Sequence, residues 1–153
     1  MATHPFSQMP QVMSRVSEKI LRNVESLHKE AHIEGLRAVV ERTPVDTGLA
    51  RTNWVSTINA PSPFSIPTPY APGSRLGVGE GANRAGAIIQ GVRLLRHFKM
   101  PVMTRTYITN NLRYIVPINR NSSSPFFFQS GINAIYNFLL SQSGRVLKDV
   151  ERV

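Results

Sequence analysis

The sequence predicts an α+β chain: a long N-terminal helix and a C-terminal helix, short strand-like runs between them, and one long loop rich in proline and glycine. Three observations carry this prediction. Apolar residues recur at helical spacing from Gln11 to Arg42 and again from Phe128 to Leu139. Runs rich in β-formers occupy 51–59, 102–110 and 113–118. Between the first and second of these lies a stretch, 60–83, punctuated by Pro61, Pro63, Pro67, Pro69 and Pro72 and then by Gly73, Gly77, Gly79 and Gly81, which suits neither a regular helix nor a central strand. A chain of 153 residues is one ordinary domain with a core of its own. The expected division is an extended arm over 1–10, a single domain over 11–145 and a short tail over 146–153.

In the first helix Val12, Val16, Ile20, Val24, Leu27, Ala31 and Ala38 keep to one face, and Glu18 with Arg22 and Glu25 with Lys29 are i,i+4 pairs in the favourable order. Gly35 costs about 1 kcal/mol relative to Ala in such a run. Leu36, Val39 and Val40 then shift the apolar stripe sideways, so a bend or a new packing partner is expected near Gly35. The helix must stop before Pro44, which disfavours helical geometry at Thr43. From Thr43 to Trp54 the chain then forms a joint. Pro44 fixes its own φ, Asp46 can brace an Asx turn, and Gly48 supplies positive φ where the turn needs it. The run from Arg51 to Asn59 reads as a strand.

After the loop, a second helix is expected from Asn83, a fair N-cap, to His97, with Ile88, Ile89, Val92 and Leu95 on its apolar side. The strand-like runs at 102–110 and 113–118, with a turn at Asn110-Asn111, could pair as a hairpin. Pro125 opens the last helix, in which Phe128, Ile132, Ile135 and Leu139 keep helical period; its propensity extends past Gly144.

The net charge of +9 is unevenly spread. Residues 1–48 are neutral overall, whereas 49–125 carry nine basic side chains against the single acid Glu80. Arg51, Arg75, Arg84, Arg93, Arg96, Lys99, Arg105, Arg113 and Arg120 therefore form either a solvated surface poor in acids or a face for an anionic partner, nucleic acid or an acidic protein ring. There is no cysteine, which removes disulfides and thiolate chemistry and fits a reducing cytosol. No apolar run approaches the ~18 residues needed to span a bilayer. The N-terminus has no basic region followed by an apolar one, so no signal peptide is expected.

Motifs of catalysis are sparse. His28 and His32 sit at a metal-compatible spacing, but Lys29 follows the first His and no third ligand is evident, so a pair of surface histidines is expected. Gly77-Val78-Gly79-Glu80-Gly81-Ala82 has the spacing of a dinucleotide loop but no strand before it, and Glu80 would face phosphate. Asp46 has no neighbouring acid or base to work with. An enzyme is not expected, nor a cofactor or bound metal. Trp54 reads as core rather than as a ligand-stacking platform, and Phe126 to Phe128 as core or subunit contact.

The joint also carries a resemblance. Pro44, Val45, Asp46, Thr47, Gly48, Leu49, Arg51 and Trp54 fall as in the "PVDTG-x-L-R-x-S/N-W" stretch of the tailed-phage neck and tail-completion proteins, the family of the HK97 gene 10 product and the lambda minor tail protein Z. Thr109-Asn110-Asn111-Leu112-Arg113-Tyr114 resembles that family's "tN…Y" pattern, and Pro125-Phe126-Phe127-Phe128 its "P-F" start to a C-terminal helix, so the likeness spans about residues 11–145. Ala50 separates Leu49 from Arg51, and Tyr114 to Asn119 lacks the family's Glu and Gly. The resemblance implies helices packed on a small antiparallel sheet and a non-enzymatic virion protein, assembled in the host cytoplasm. It further implies a ring of copies of itself, commonly a hexamer, at the head–tail junction. That ring would join the connector or adaptor to the tail-tube or tail-terminator proteins while double-stranded DNA passes through, with no membrane involved. Arg75, Arg84, Arg93, Arg96, Lys99, Arg105, Arg113 and Arg120 would then face either the DNA channel or a partner ring. The alternative from another class is a stand-alone basic nucleic-acid-binding module.

If the 43–54 stretch is a joint, Asp46→Ala should harm folding or assembly, read by solubility and sedimentation. A soluble variant that assembles normally would contradict that role.

Overall fold

Two long helices lying against each other set the frame of the molecule. The structure, a computed structural model, describes residues 8–44, 48–71, 79–103, 105–121 and 126–151, with side chains through Gly144. Helix α1 (Met9–Arg42) is 34 residues, about 50 Å long. It begins inside the expected arm, because Pro10 falls in the first turn, where a missing N–H breaks no intrahelical bond. Its buried positions begin only at Ala31 and His32 and continue with Gly35, Leu36, Val39 and Val40. Helix α5 (Phe127–Glu151) runs back along it and takes in most of the stretch expected as a tail.

Gly35 marks the new packing partner. A Cβ on Gly35 would strike Ile135 of α5, and one on Gly131 would strike Val39 of α1. Each of these Cβ positions also lies about 3.5 Å from the other glycine's carbonyl oxygen (3.5 and 3.4 Å), so the two backbones cross in near contact. The helix-propensity cost of Gly35 is thus exchanged for close helix approach.

Between α1 and the sheet sits a short helix, α2 (Leu49–Thr52), where the first part of a strand was expected. Gly48 enters it at φ 79°, and the backbone N–H groups of Thr52 and Asn53 bond to the carbonyls of Gly48 and Leu49. These local bonds, reinforced by the Asn53 side chain donating to Leu49 O, hold 49–53 in a helical turn. Strand β1 is therefore only Val55–Ile58.

Helix α3 (Glu80–Leu95) starts three residues before Asn83, after Gly79 at φ 79°. Asn83 is not its N-cap. It is buried, with Oδ1 accepting from Thr52 Oγ1 and Ala71 N and Nδ2 donating to Ala71 O. Asn53 does the same farther back, pairing with both N–H and C=O of Ile66. With Asn111 donating to Ser62 O and Phe64 O, these amides fasten the described part of the proline loop to its own chain.

Strand β2 (Thr106–Thr109) pairs antiparallel with β1, with Val55 opposite Thr109 and Ile58 opposite Thr106. The hairpin expected with 113–118 does not form, because that run is helix α4 (Ile115–Asn121). Pro117 lies in its first turn, Ile118 N bonds to Tyr114 O, and Ile115 with Ile118 turns one face to the core. The architecture is α+β, mostly helical, with a two-stranded sheet over α1, α3 beside β1, and α5 along the opposite flank of α1. Leu36, Val40, Trp54, Ala87, Ile115 and Phe127 make the centre of the core.

If the glycine crossing holds α1 to α5, Gly131→Leu should cost about 1–3 kcal/mol by overpacking, measured by chemical denaturation. Gly144→Ala in the same helix, where a Cβ meets nothing within 4 Å, should be neutral or stabilising by up to ~1 kcal/mol.

Candidate functional site

The joint is a lock made of buried groups. Thr43, the last turn of α1, donates its hydroxyl to Val39 O at 2.6 Å and accepts the Trp54 indole N–H at 2.7 Å. The indole ring is 2 % exposed and meets Phe127 and Phe128 edge-on, with ring centroids 5.8 and 5.5 Å away. Trp54 thereby ties the end of α1, the start of β1 and the start of α5 together. Burying an indole removes roughly 200 Å² from water, worth about 5 kcal/mol of transfer free energy, and each aromatic contact adds about 1 kcal/mol.

Arg51 completes the lock. Its Nε donates to Thr43 O at 2.9 Å and Nη2 to Glu41 O at 3.2 Å, covering carbonyls that the end of α1 leaves free. Its Nη1 meets Glu80 Oε2 at 2.8 Å, joining the joint to the first turn of α3. Glu80 is thus an ion-pair partner within the fold. Gly48 has the expected positive φ, Pro44 is half-buried, and Leu49 opens α2. Val45, Asp46 and Thr47 lie outside the described residues. The described polar side chains of the joint, Thr43, Arg51, Thr52, Asn53 and Trp54, are all engaged in hydrogen bonds or an ion pair within the fold.

The two histidines are not surface residues. His32 is 5 % exposed, with Nδ1 2.8 Å from Thr106 Oγ1 and Nε2 2.9 Å from Ser56 Oγ. His28 Nε2 shares Thr106 Oγ1 at 2.9 Å, and its ring stacks on Phe98 at 4.5 Å. They pin the sheet to α1 through side-chain hydrogen bonds. Burial, with a smaller contribution from the neighbouring His28, pushes the His32 pKa down to about 4, and burial also lowers that of His28. The signal was present in the sequence: 28, 32 and 36 form one i,i+4 row that leads straight into the buried Leu36. Gln90, also unremarked, donates to Ser56 O and accepts Ser56 N, so its amide occupies the outer edge of β1 as another strand would. Among the described residues no group of three or more His, Asp or Glu is placed to hold a metal, and no helix is long and apolar enough to cross a membrane.

Of the basic residues, Arg84, Arg93, Arg96, Lys99, Arg105, Arg113 and Arg120 are all exposed. They are spread over α3, the connection to β2, the turn before α4, and α4 itself. Lys99 lies 3.6 Å from Glu25, which also accepts Lys29 and the Met100 N–H; the Lys29 hydrogen bond leads in holding the Glu25 carboxyl below its usual pKa. The other six make no ion pair among the described residues. Arg51, counted among the basic excess, is instead internal to the joint, and Arg75 lies outside the described residues. Among the described residues these six arginines are solvated cations without an ion pair.

A cavity of about 460 Å³ opens between β2 and α5 with α1 as its floor. Its walls include Ala31, Ile108, Phe128, Ile132, Ile135 and Leu139, and His28 and His32 border the floor. Ile132, in the cavity wall, is 60 % exposed, and on the outside of α5 Tyr136 is 62 % and Leu140 55 % exposed. Comparison with protein-family models, with curated proteins and with solved structures finds no match to the chain.

Because folding keeps His32 neutral, the unfolded chain binds its proton more tightly. Stability is therefore full above the unfolded pKa of about 6.5 and declines as pH falls from there toward about 4. The protein should be about 2 kcal/mol less stable at pH 5 than at pH 7 in urea titrations. His32→Gln, which keeps a hydrogen-bonding amide but cannot titrate, should remove most of that difference; an unchanged difference would contradict the assignment.

Proposed function

We propose that the chain is a structural subunit of a tailed-phage virion, a neck or tail-completion protein that forms a ring of its own copies at the head–tail junction. In that ring it joins the connector to the tail and lets DNA pass. The observation that carries this reading is the joint. Gly48, Arg51 and Trp54, part of the stretch that resembles the neck and tail-completion family, serve as the entry to α2, a carbonyl clamp and a three-way core anchor. A motif spent on internal fastening suits a building block better than a catalyst. The exposed apolar pair Tyr136 and Leu140, outside the cavity lining, gives such a block a surface to lay against a neighbour. Arg84, Arg93, Arg96, Arg105, Arg113 and Arg120, which have no ion pair among the described residues, supply cations to face DNA in the channel or an acidic ring.

The same arginines favour one other reading, a stand-alone nucleic-acid-binding module. The two differ in mass and in salt response. A ring subunit should sediment as a closed oligomer of several copies at micromolar concentration and above. A binding module should stay a monomer or dimer and bind double-stranded DNA with an affinity that falls at least tenfold between 50 and 200 mM salt. A monomer at high concentration with such DNA binding would overturn the ring proposal.

A further inference from the structure

The two edges of the small sheet are treated differently. Ser56, opposite Ile108, turns its N–H and C=O away from β2, where the Gln90 amide takes both. Asn59 N bonds to Arg105 O in the same register, which places the ladder bonds at 55–109, 57–107 and 59–105. Thr106 and Ile108 therefore point their own N–H and C=O outward, on the far edge of β2. Among the described residues neither backbone has a partner there. Unpaired main-chain groups on a strand edge are a template for another strand.

This edge does not face open solvent. It forms one wall of the cavity between β2 and α5, and beneath it lie Ala31, Phe128, Ile132, Ile135 and Leu139. We propose that this slot is a docking site for one extended segment of a partner polypeptide, which adds a third strand to the sheet and drops alternate apolar side chains between β2 and α5. Two independent features converge on that occupant. The edge offers alternating donors and acceptors at residues 106 and 108, which an extended backbone matches and a helix or small molecule does not. The floor and far wall are lined by apolar side chains, which suit the alternate side chains that such a strand turns to one face.

Charge narrows the partner further. Arg105 is exposed at the entry to β2, and no acidic residue occurs between Glu80 and Asp149. A segment with an acidic residue beside its strand fits this mouth. The described proline loop of the same chain is already fastened by Asn53, Asn83 and Asn111, so it is not the occupant. Edge-to-edge pairing with the β2 of a second copy would bring that copy's helices against the α5 wall. The slot depends only on β2, α1 and α5, and it stands whether or not the chain is a ring subunit.

The test uses the full-length protein and a random nine-residue displayed peptide library. Selected peptides should alternate apolar and polar residues and carry an acid at one end. They should bind Ile132→Arg at least tenfold more weakly and lose at least tenfold in affinity when alternate backbone nitrogens are methylated. Ile132 is 60 % exposed, so the variant should keep wild-type circular dichroism and denaturation; Leu139→Arg repeats the test from farther along the wall. By NMR, the Thr106 and Ile108 amides should exchange rapidly in the free protein and at least tenfold more slowly with peptide, while Tyr107 and Thr109 change little. No enrichment over Ile132→Arg, apolar spacing of three and four, tolerance of N-methylation, or already protected 106 and 108 amides would each overturn the proposal.

Discussion

Everything in this fold passes through the hydrogen bond from the Trp54 indole to Thr43 and the aromatic contacts around it. The bond fixes where α1 stops, and the ring fixes where β1 begins and where α5 returns. A buried indole N–H needs an acceptor, and the Thr43 hydroxyl can accept it while still donating to Val39 O. Replacing Thr43 with an apolar residue would strand the indole N–H in the core at a cost of about 1–3 kcal/mol. Arg51 adds the electrostatic half by closing over the carbonyls of the last α1 turn and reaching α3 through Glu80. The unusual residues of this stretch are unusual because three elements meet at one place.

A second constraint follows from the first. With α5 launched from Trp54, it must lie along α1, and it can do so closely only at Gly35 and Gly131. The sheet then has to sit on the remaining face of α1. That face carries His28 and His32, so the contact is made by hydrogen bonds from Ser56 and Thr106 as much as by apolar packing. The sheet has two strands, and two strands alone are marginal in water. Gln90 stands in for a third on one side. On the other, the edge is left beside an apolar slot.

The long helices and the joint were legible in the sequence because each rests on local signals: a 3.6-residue period, a proline stop, a glycine in need of positive φ. The element between them was harder. Residues 113–118 alternate like a strand, yet Pro117 suits a first helical turn equally well, and the burial of Ile115 and Ile118 decided the outcome. Likewise Arg51 and Thr52 look like β-formers, but the bonds from Gly48 and Leu49 to the residues after them draw the segment into α2. The histidines were misjudged by residue type. Their row on the helix, continuous with Leu36, was the better guide. The pairing of β1 with β2 joins segments some fifty residues apart, which no local pattern encodes. For the site, the locking role of Arg51 could not be seen, since it depends on Glu41, Thr43 and Glu80 arriving together. The exposed arginines, by contrast, follow directly from a stretch almost without acids.

A protein with one well-locked core, an α1 whose first fully buried residue is Ala31 and exposed apolar side chains on the outside of α5 suits the proposed role as a component. Electron microscopy of the purified full-length chain, alone and within intact particles, puts that most directly to the test. A closed ring whose subunit contacts include Tyr136 and Leu140, found at the junction of head and tail, is the result expected. Dispersed single copies, or a ring with those residues facing solvent and the junction occupied by something else, would contradict it.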